Sequence, residues 1–197
     1  MKKLVTGATG FIGSAITREL IREGKEVKVF IRETSNTRNI DNLAVEKAYG
    51  DIRDGDSMKR ALKGCDTLYL TAANFAHWAP DPKVLYEVNV GLTERLALAC
   101  ASHISPPTFV YCSTIAAAGP SLLGEFRSES QPPSPISDYG RSKLGGELAL
   151  ARLAGKLPAT IVRPGIIFGE RNRDMLPIFQ TISKLRMHLV PSFHPPR

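Results

Sequence analysis

Cysteine and histidine are both scarce in this sequence, and each shortage closes off a class of protein. The three cysteines, Cys65, Cys100 and Cys112, are odd in number and form no C-x-x-C pair. That excludes a disulfide framework and points to reduced thiols in a cytoplasmic protein. The four histidines, His77, His103, His188 and His194, are scattered without ligand spacing, so no metal is expected. No run of about 18 apolar residues occurs, so no membrane span is expected. The apolar start in "MKKLVTGATG" stops at Val5, too soon for a secretory leader. Charge is unbalanced, 26 Lys and Arg against 19 Asp and Glu for a net +7. The basic residues are nevertheless dispersed among acids, as in "TRELIREGKEVK", and not blocked or interleaved with aromatics. This is the pattern of a solvated surface. No nucleic-acid partner is expected, although a basic balance attracts polyphosphate ligands.

What the 197 residues do carry is alternation, and at 43% apolar composition they can bury one core. Strand-like runs are expected at 2–6, 26–32, 45–50, 66–73, 108–114 and 159–165. Helical periods fall between them, at about 11–23, 56–63, 83–102 and 139–155. Ile12, Ile16 and Leu20 share one face of the first helix, and Val84, Val88, Leu92, Leu96 and Ala99 one face of the third. Strands alternating with helices argue for βαβ units and a parallel sheet, an α/β fold. Two connections, "NFAHWAPDP" (74–82) and "SESQPPSPISD" (128–138), follow strand ends, where open α/β sheets place ligands.

After the first strand, "VTGATGFIGS" sets Gly7, Gly10 and Gly13 three residues apart. Glycine there permits a tight turn and a close backbone approach, and the helix start behind it offers N–H groups to a pyrophosphate. The G-x-x-G-x-x-G spacing differs from G-x-G-x-x-G, so the run alone is modest evidence. Further segments follow in order: "GDIRD" (50–54), "LTAA" (70–73), Asn89 in "EVNVGLT", "DYGRSK" (138–143) and "RPGIIFG" (163–169). Together they resemble the extended, epimerase/dehydratase-like branch of the short-chain dehydrogenase/reductase superfamily, near its dihydroflavonol reductase and sterol dehydrogenase relatives. Two departures stand out: the N-V-G-L-T glycine is displaced by one position, and "LTAA" lacks a histidine common in relatives.

The resemblance implies a Rossmann-type doubly wound parallel sheet with helices on both faces, a single dinucleotide-binding domain over 1–197. It implies cofactor contacts from Gly7, Gly10, Phe11, Ile12, Gly13, Asp51, Ile52, Thr71, Ala72, Ala73, Asn89 and Pro164. Asp51 and Ile52 are expected near the adenine edge, and Asn89 is expected to place the lysine through water. Strand two ends at Ile31, followed by Arg32, where NAD-dependent relatives carry an acid. An apolar residue removes a charge that would repel a 2′-phosphate, and a guanidinium suits one. NADP is therefore favoured over NAD, with Glu33 as the argument for NAD.

Tyr139 and Lys143 are four residues apart and share a helix face. They match the Y-x-x-x-K motif of the superfamily, which implies Tyr139 as general acid or base and Lys143 on the nicotinamide ribose. An ammonium nearby favours the ionised phenol, so Lys143 is expected to lower the tyrosine pKa. In "YCSTIAAAG" the superfamily's hydroxyl falls on Thr114, with Ser113 expected to satisfy backbone at the strand end. The implied activity is hydride transfer between a nicotinamide cofactor and a secondary alcohol or ketone, a small-molecule substrate. A nucleotide-sugar epimerase or dehydratase that retains its cofactor, and a non-catalytic dinucleotide sensor, are the alternatives. The resemblance also implies a homodimer through the helices near 83–102 and 139–155. The chain ends at "LVPSFHPPR", where members of this branch continue well beyond, so the substrate-binding portion is expected to be largely absent.

Overall fold

The computed structural model describes residues 1–73, 81–121, 124–173 and 175–185. It divides into a unit of Met1–Ile166 and a second from Ile167 onward. The first holds six strands, β1 (Lys2–Thr6), β2 (Val27–Ile31), β3 (Glu46–Tyr49), β4 (Cys65–Leu70), β5 (Thr108–Cys112) and β6 (Ala159–Val162). They form one sheet in the order β3-β2-β1-β4-β5-β6, every pairing parallel. That order reverses direction between β1 and β4, which creates a crevice at the carboxyl ends of the strands.

Side-chain alternation distributes the core over both faces. On β2, Val27, Val29 and Ile31 join Val5, Leu20 and Ile40 on one face. Phe30 points the other way, among Leu4, Met58, Leu68, Leu96 and Phe109. Such strands are buried on both sides because crossover helices cover both. These helices are α1 (Phe11–Arg22), α2 (Gly55–Leu62), α3 (Pro82–Tyr86), α4 (Leu92–Ala101), the short α5 (Ile115–Ala118) and α6 (Asp138–Ala151). Asp54 caps α2, its carboxylate accepting from the N–H groups of Asp56 and Ser57 at 3.0 and 3.3 Å. β6 is exposed along its length and forms one edge of the sheet.

The expected elements are all present, with strand four ending at Leu70, three residues early, and α6 ending at Ala151. The helix expected at 83–102 is one helical run from 82 to 101, but residues Glu87–Gly91 form a π-helical turn inside it. α5 was not foreseen, and neither was α7 (Leu176–Leu185) in the second unit. In that unit the Phe168 and Phe179 rings lie 6.4 Å apart between centroids. The connection expected at 74–82 falls mostly outside the described residues.

A close approach of α6 to β5 is set by glycine. A Cβ on Gly146 of α6 would stand 2.4 Å from the Tyr111 hydroxyl oxygen and 2.8 Å from the Asn89 carbonyl oxygen. Alanine inside a helix ordinarily stabilises relative to glycine. Here the contact reverses the sign, because Tyr111 is fully buried and has nowhere to move. Gly146→Ala is expected to cost about 1–3 kcal/mol in chemical denaturation. Gly55→Ala, in α2 with nothing within 4 Å, is the control expected to be neutral or stabilising. Equal behaviour of the two would refute the close approach.

Candidate active site

β1 leaves the sheet at Gly7, whose φ of +68° and crowded surroundings require glycine. A Cβ there would meet the Ala72 backbone nitrogen and Thr71 Oγ1, each at 2.8 Å. The Gly10 N–H then donates to the Gly7 carbonyl at 2.9 Å, and Gly10 takes the N-cap position of α1. No side chain caps this helix and its first turn holds no acid, so neither offers an anion to the positive end of its dipole. Gly13 packs behind the turn, 2.2 Å from the Gly7 carbonyl oxygen to where its Cβ would be.

Gly7 and Gly10 form one end of a groove of about 500 Å³ over the carboxyl ends of β1 to β4. Arg32, Asp51, Ile52, Thr71, Ala72 and Ala73 also line it. Phe11, Ile12 and Gly13 do not, since they sit within the first turn of α1. Thr71 fixes the β4 side by donating its hydroxyl to the Thr6 carbonyl at 2.6 Å. Arg32 follows β2 at the groove wall, its N–H donating to Ser35 Oγ at 3.1 Å, whereas Glu33 is exposed and off the wall. The Asp51 carboxylate accepts from the Arg53 N–H at 2.8 Å and from Arg53 Nε at 3.0 Å. These bonds hold its pKa down to about 2. Sequence reasoning missed Arg53, Glu87 and Arg95 on this wall. Arg53 was inside the quoted "GDIRD"; nothing local marked Arg95.

The second constellation is built on β5, α5 and α6. Thr114 is the N-cap of α5, Oγ1 accepting from the Ala116 N–H at 3.2 Å. α5 lies against α6 so closely that a Cβ on Gly140 would stand 2.3 Å from the Ala116 carbonyl oxygen. This places the Thr114 turn beside the helix that carries Tyr139 and Lys143. Ser113 corrects an expectation: its hydroxyl donates to the Glu147 carboxylate and not to backbone. A buried carboxylate is the stronger acceptor, and one lies within reach on α6.

Lys143 is 2% exposed; its Nζ donates to the Cys112 carbonyl at 2.7 Å and lies 4.2 Å from the centroid of the Tyr111 ring. Burial lowers its pKa to about 8. Burial, and then Cys112, raise the pKa of Tyr139 to about 12. The expected lowering of the tyrosine by the lysine is thus absent, because desolvation dominates both groups and the ammonium turns toward the carbonyl and ring. Asn89 is buried in the π-turn, where its Nδ2 donates to Ser142 Oγ at 3.0 Å; that hydroxyl in turn donates to the Tyr139 carbonyl at 2.8 Å. Pro164 contributes a carbonyl that accepts the Ile115 N–H at 3.0 Å. Among the described residues, no helix is long and apolar enough to cross a membrane, and no group of three or more His, Cys, Asp or Glu is placed to hold a metal.

Residues 3–189 match the NAD dependent epimerase/dehydratase family. The chain is 38% identical over 173 residues to sterol demethylase protein B of Methylococcus capsulatus, covering 86% of this chain and 52% of that protein. It is 31% identical over 194 residues to a putative dihydroflavonol 4-reductase of Synechocystis, covering 96% and 56%. The crystal structure of UDP-glucuronic acid 4-epimerase from Bacillus cereus in complex with NAD superimposes with a TM-score of 0.78 at 28% identity, covering 94% and 64%. The chain spans about half the length of the curated relatives it matches.

The buried lysine has a pH signature. Its folded pKa of about 8 lies below the ordinary 10.5, so between those values the unfolded chain binds the extra proton. Stability therefore rises with pH across that window. Relative to Lys143→Met, the wild type is expected to gain stability from pH 8 to 10 in urea denaturation. A difference that stays flat with pH would mean the ammonium is solvated.

Proposed function

Because the chain belongs to the NAD-dependent epimerase/dehydratase family, we propose that it is the dinucleotide-holding part of an NAD(P)-dependent oxidoreductase acting on a secondary alcohol or ketone. The observation that carries this is the bare start of α1, with glycine at its N-cap and no acid in its first turn, opening onto the groove. A pyrophosphate supplies the missing anion there. When bound, a nicotinamide dinucleotide supplies or accepts the hydride. Gly7 and Gly10 let the backbone approach the phosphates, and Asp51, Ile52, Thr71, Ala72 and Ala73 form the walls that receive the adenosine half. Phe11, Ile12 and Gly13 form the first turn of α1 beneath the phosphates, and Asn89, against Ser142, and Pro164, against Ile115, belong to the Tyr139–Lys143 side of the cofactor.

Tyr139, with its pKa near 12, stands protonated at neutral pH. It therefore serves first as a proton donor to the substrate oxygen, the role reduction requires. Lys143, with a pKa near 8, is mostly charged at pH 7 and stabilises the phenolate left behind. Thr114 presents its hydroxyl to the same oxygen from the start of α5. The similarity to a UDP-glucuronic acid 4-epimerase favours a second reading, in which the same residues pass a hydride out of and back into one nucleotide-sugar substrate.

Arg32, with Ser35 at its side, is assigned to the 2′-phosphate of NADP. A homodimer through α4 and α6, which expose Leu98 and Leu148, and a cytoplasmic setting for the three free thiols belong to the same reading.

Fluorescence titration with NADPH and NADH tests the premise, and binding of neither removes it. Arg32→Ala is expected to weaken NADPH roughly tenfold or more while leaving NADH unchanged; equal effects on both would sink the 2′-phosphate assignment. On a panel of carbonyl substrates, Tyr139→Phe is expected to lose about 10²–10⁴-fold in turnover with dinucleotide affinity kept. Unchanged turnover would favour a dinucleotide sensor.

A further inference from the structure

The most completely built polar cluster outside the residues assigned above centres on Glu147, a carboxylate 4% exposed on α6. Oε1 accepts the Ser113 hydroxyl and Arg163 Nε, the latter at 2.9 Å, and Oε2 accepts from Arg163 Nη2. Three elements meet in this carboxylate: α6, the end of β5, and the chain leaving β6. Burying an ion pair rarely adds stability over apolar side chains of similar volume. Its presence here therefore asks for a reason in position or charge.

Both are visible. Glu147 lies four residues after Lys143 and eight after Tyr139, on the same face of α6. Ser113 immediately precedes Thr114, and its N–H donates to the Val162 carbonyl at 2.7 Å. On the other side, the Ile115 N–H donates to Pro164, the residue after Arg163, at 3.0 Å. Thr114 is thus anchored before and behind to the end of β6, and Glu147 binds that anchored corner to the helix of Tyr139 and Lys143.

We propose that Glu147, clamped between Ser113 and Arg163, is a positioning residue that fixes Thr114 against the Tyr139–Lys143 face of α6 and keeps the Lys143 ammonium charged in its buried seat. The proposal rests on the assignment of those three residues to the site, but its test requires neither dinucleotide nor turnover. The groups facing Lys143 are Cys112 and Tyr111 from β5 and Tyr139 and Glu147 from α6, with Arg163 paired to the glutamate from the β6 end. Burial pushes the lysine pKa down, and Cys112 and Glu147 push it up.

The charge role is read by ¹³C NMR of protein labelled at lysine Cε, the Lys143 signal being assigned by its loss in Lys143→Met. Glu147→Gln is expected to lower the Lys143 midpoint by about one pH unit. Arg163→Gln, which leaves the carboxylate uncompensated, is expected to raise it, and Glu147→Asp to restore most of the wild-type value. The positional role is read by amide exchange: Ser113→Ala is expected to speed exchange at Ile115 about tenfold with the lysine midpoint unmoved. A midpoint unmoved in both charge variants overturns the proposal, as does unchanged Ile115 exchange. If Glu147→Gln does not fold, Arg163→Gln decides the charge arm, since that side chain is partly exposed. Failure of NADPH to bind changes none of these readings, so the two proposals fail separately.

Discussion

The carbonyl oxygen of Gly7 lies 2.2 Å from where a Cβ on Gly13 would stand, and the Ala72 backbone nitrogen lies 2.8 Å from where one on Gly7 would stand. Three pieces of main chain thus meet with no side chain between them: the end of β1, the first turn of α1, and the residues after β4. The meeting point is where strand order reverses, so the crevice between the two halves of the sheet opens directly over it. Loosening this contact would part β1 from β4 at the floor of the groove. It would also turn the dipole end of α1 away from the space it faces.

On the other side of β4 the site depends on desolvation. Tyr139 and Lys143 lie in a region where burial is the largest influence on each, leaving a phenol that holds its proton and an ammonium that holds its own only moderately. Such a pair rests with the proton on the tyrosine at neutral pH. Two of the polar groups around it are engaged, Lys143 on the Cys112 carbonyl and Ser142 on the Tyr139 carbonyl. The site is therefore held by hydrogen bonds whose loss would be felt in geometry before it was felt in stability.

Much of this architecture could be read in advance, since it follows from periodicity. The opposite orientations of Val29 and Phe30 on β2, and the turn forced at Gly7, are local properties of strand and glycine. The groove wall at Arg32 and Asp51 followed from their places just after strands. The features that escaped prediction depend on contacts between segments distant in sequence. Ser113, expected on backbone, turns its hydroxyl to a carboxylate 34 residues away. The direction of the Tyr139 shift needs the depth of burial, which spacing does not carry. α5 is too short for any period to announce, and Arg95 reaches the groove from beyond an irregular turn that no residue pattern marked.

That turn, Glu87–Gly91, spaces its hydrogen bonds one residue wider than an α-helix does. Each surplus residue rotates the remainder of the helix by about 100° relative to an uninterrupted one. Residues 82–86 and 92–101 therefore belong to two wheels out of phase with each other, and a single helical projection through both would misassign the sides of one. The glycine of N-V-G-L-T, which looks displaced by one when counted along the sequence, sits inside this phase step. The step leaves Asn89, within it, against Ser142 and sets Leu92 and Leu96, after it, in the core.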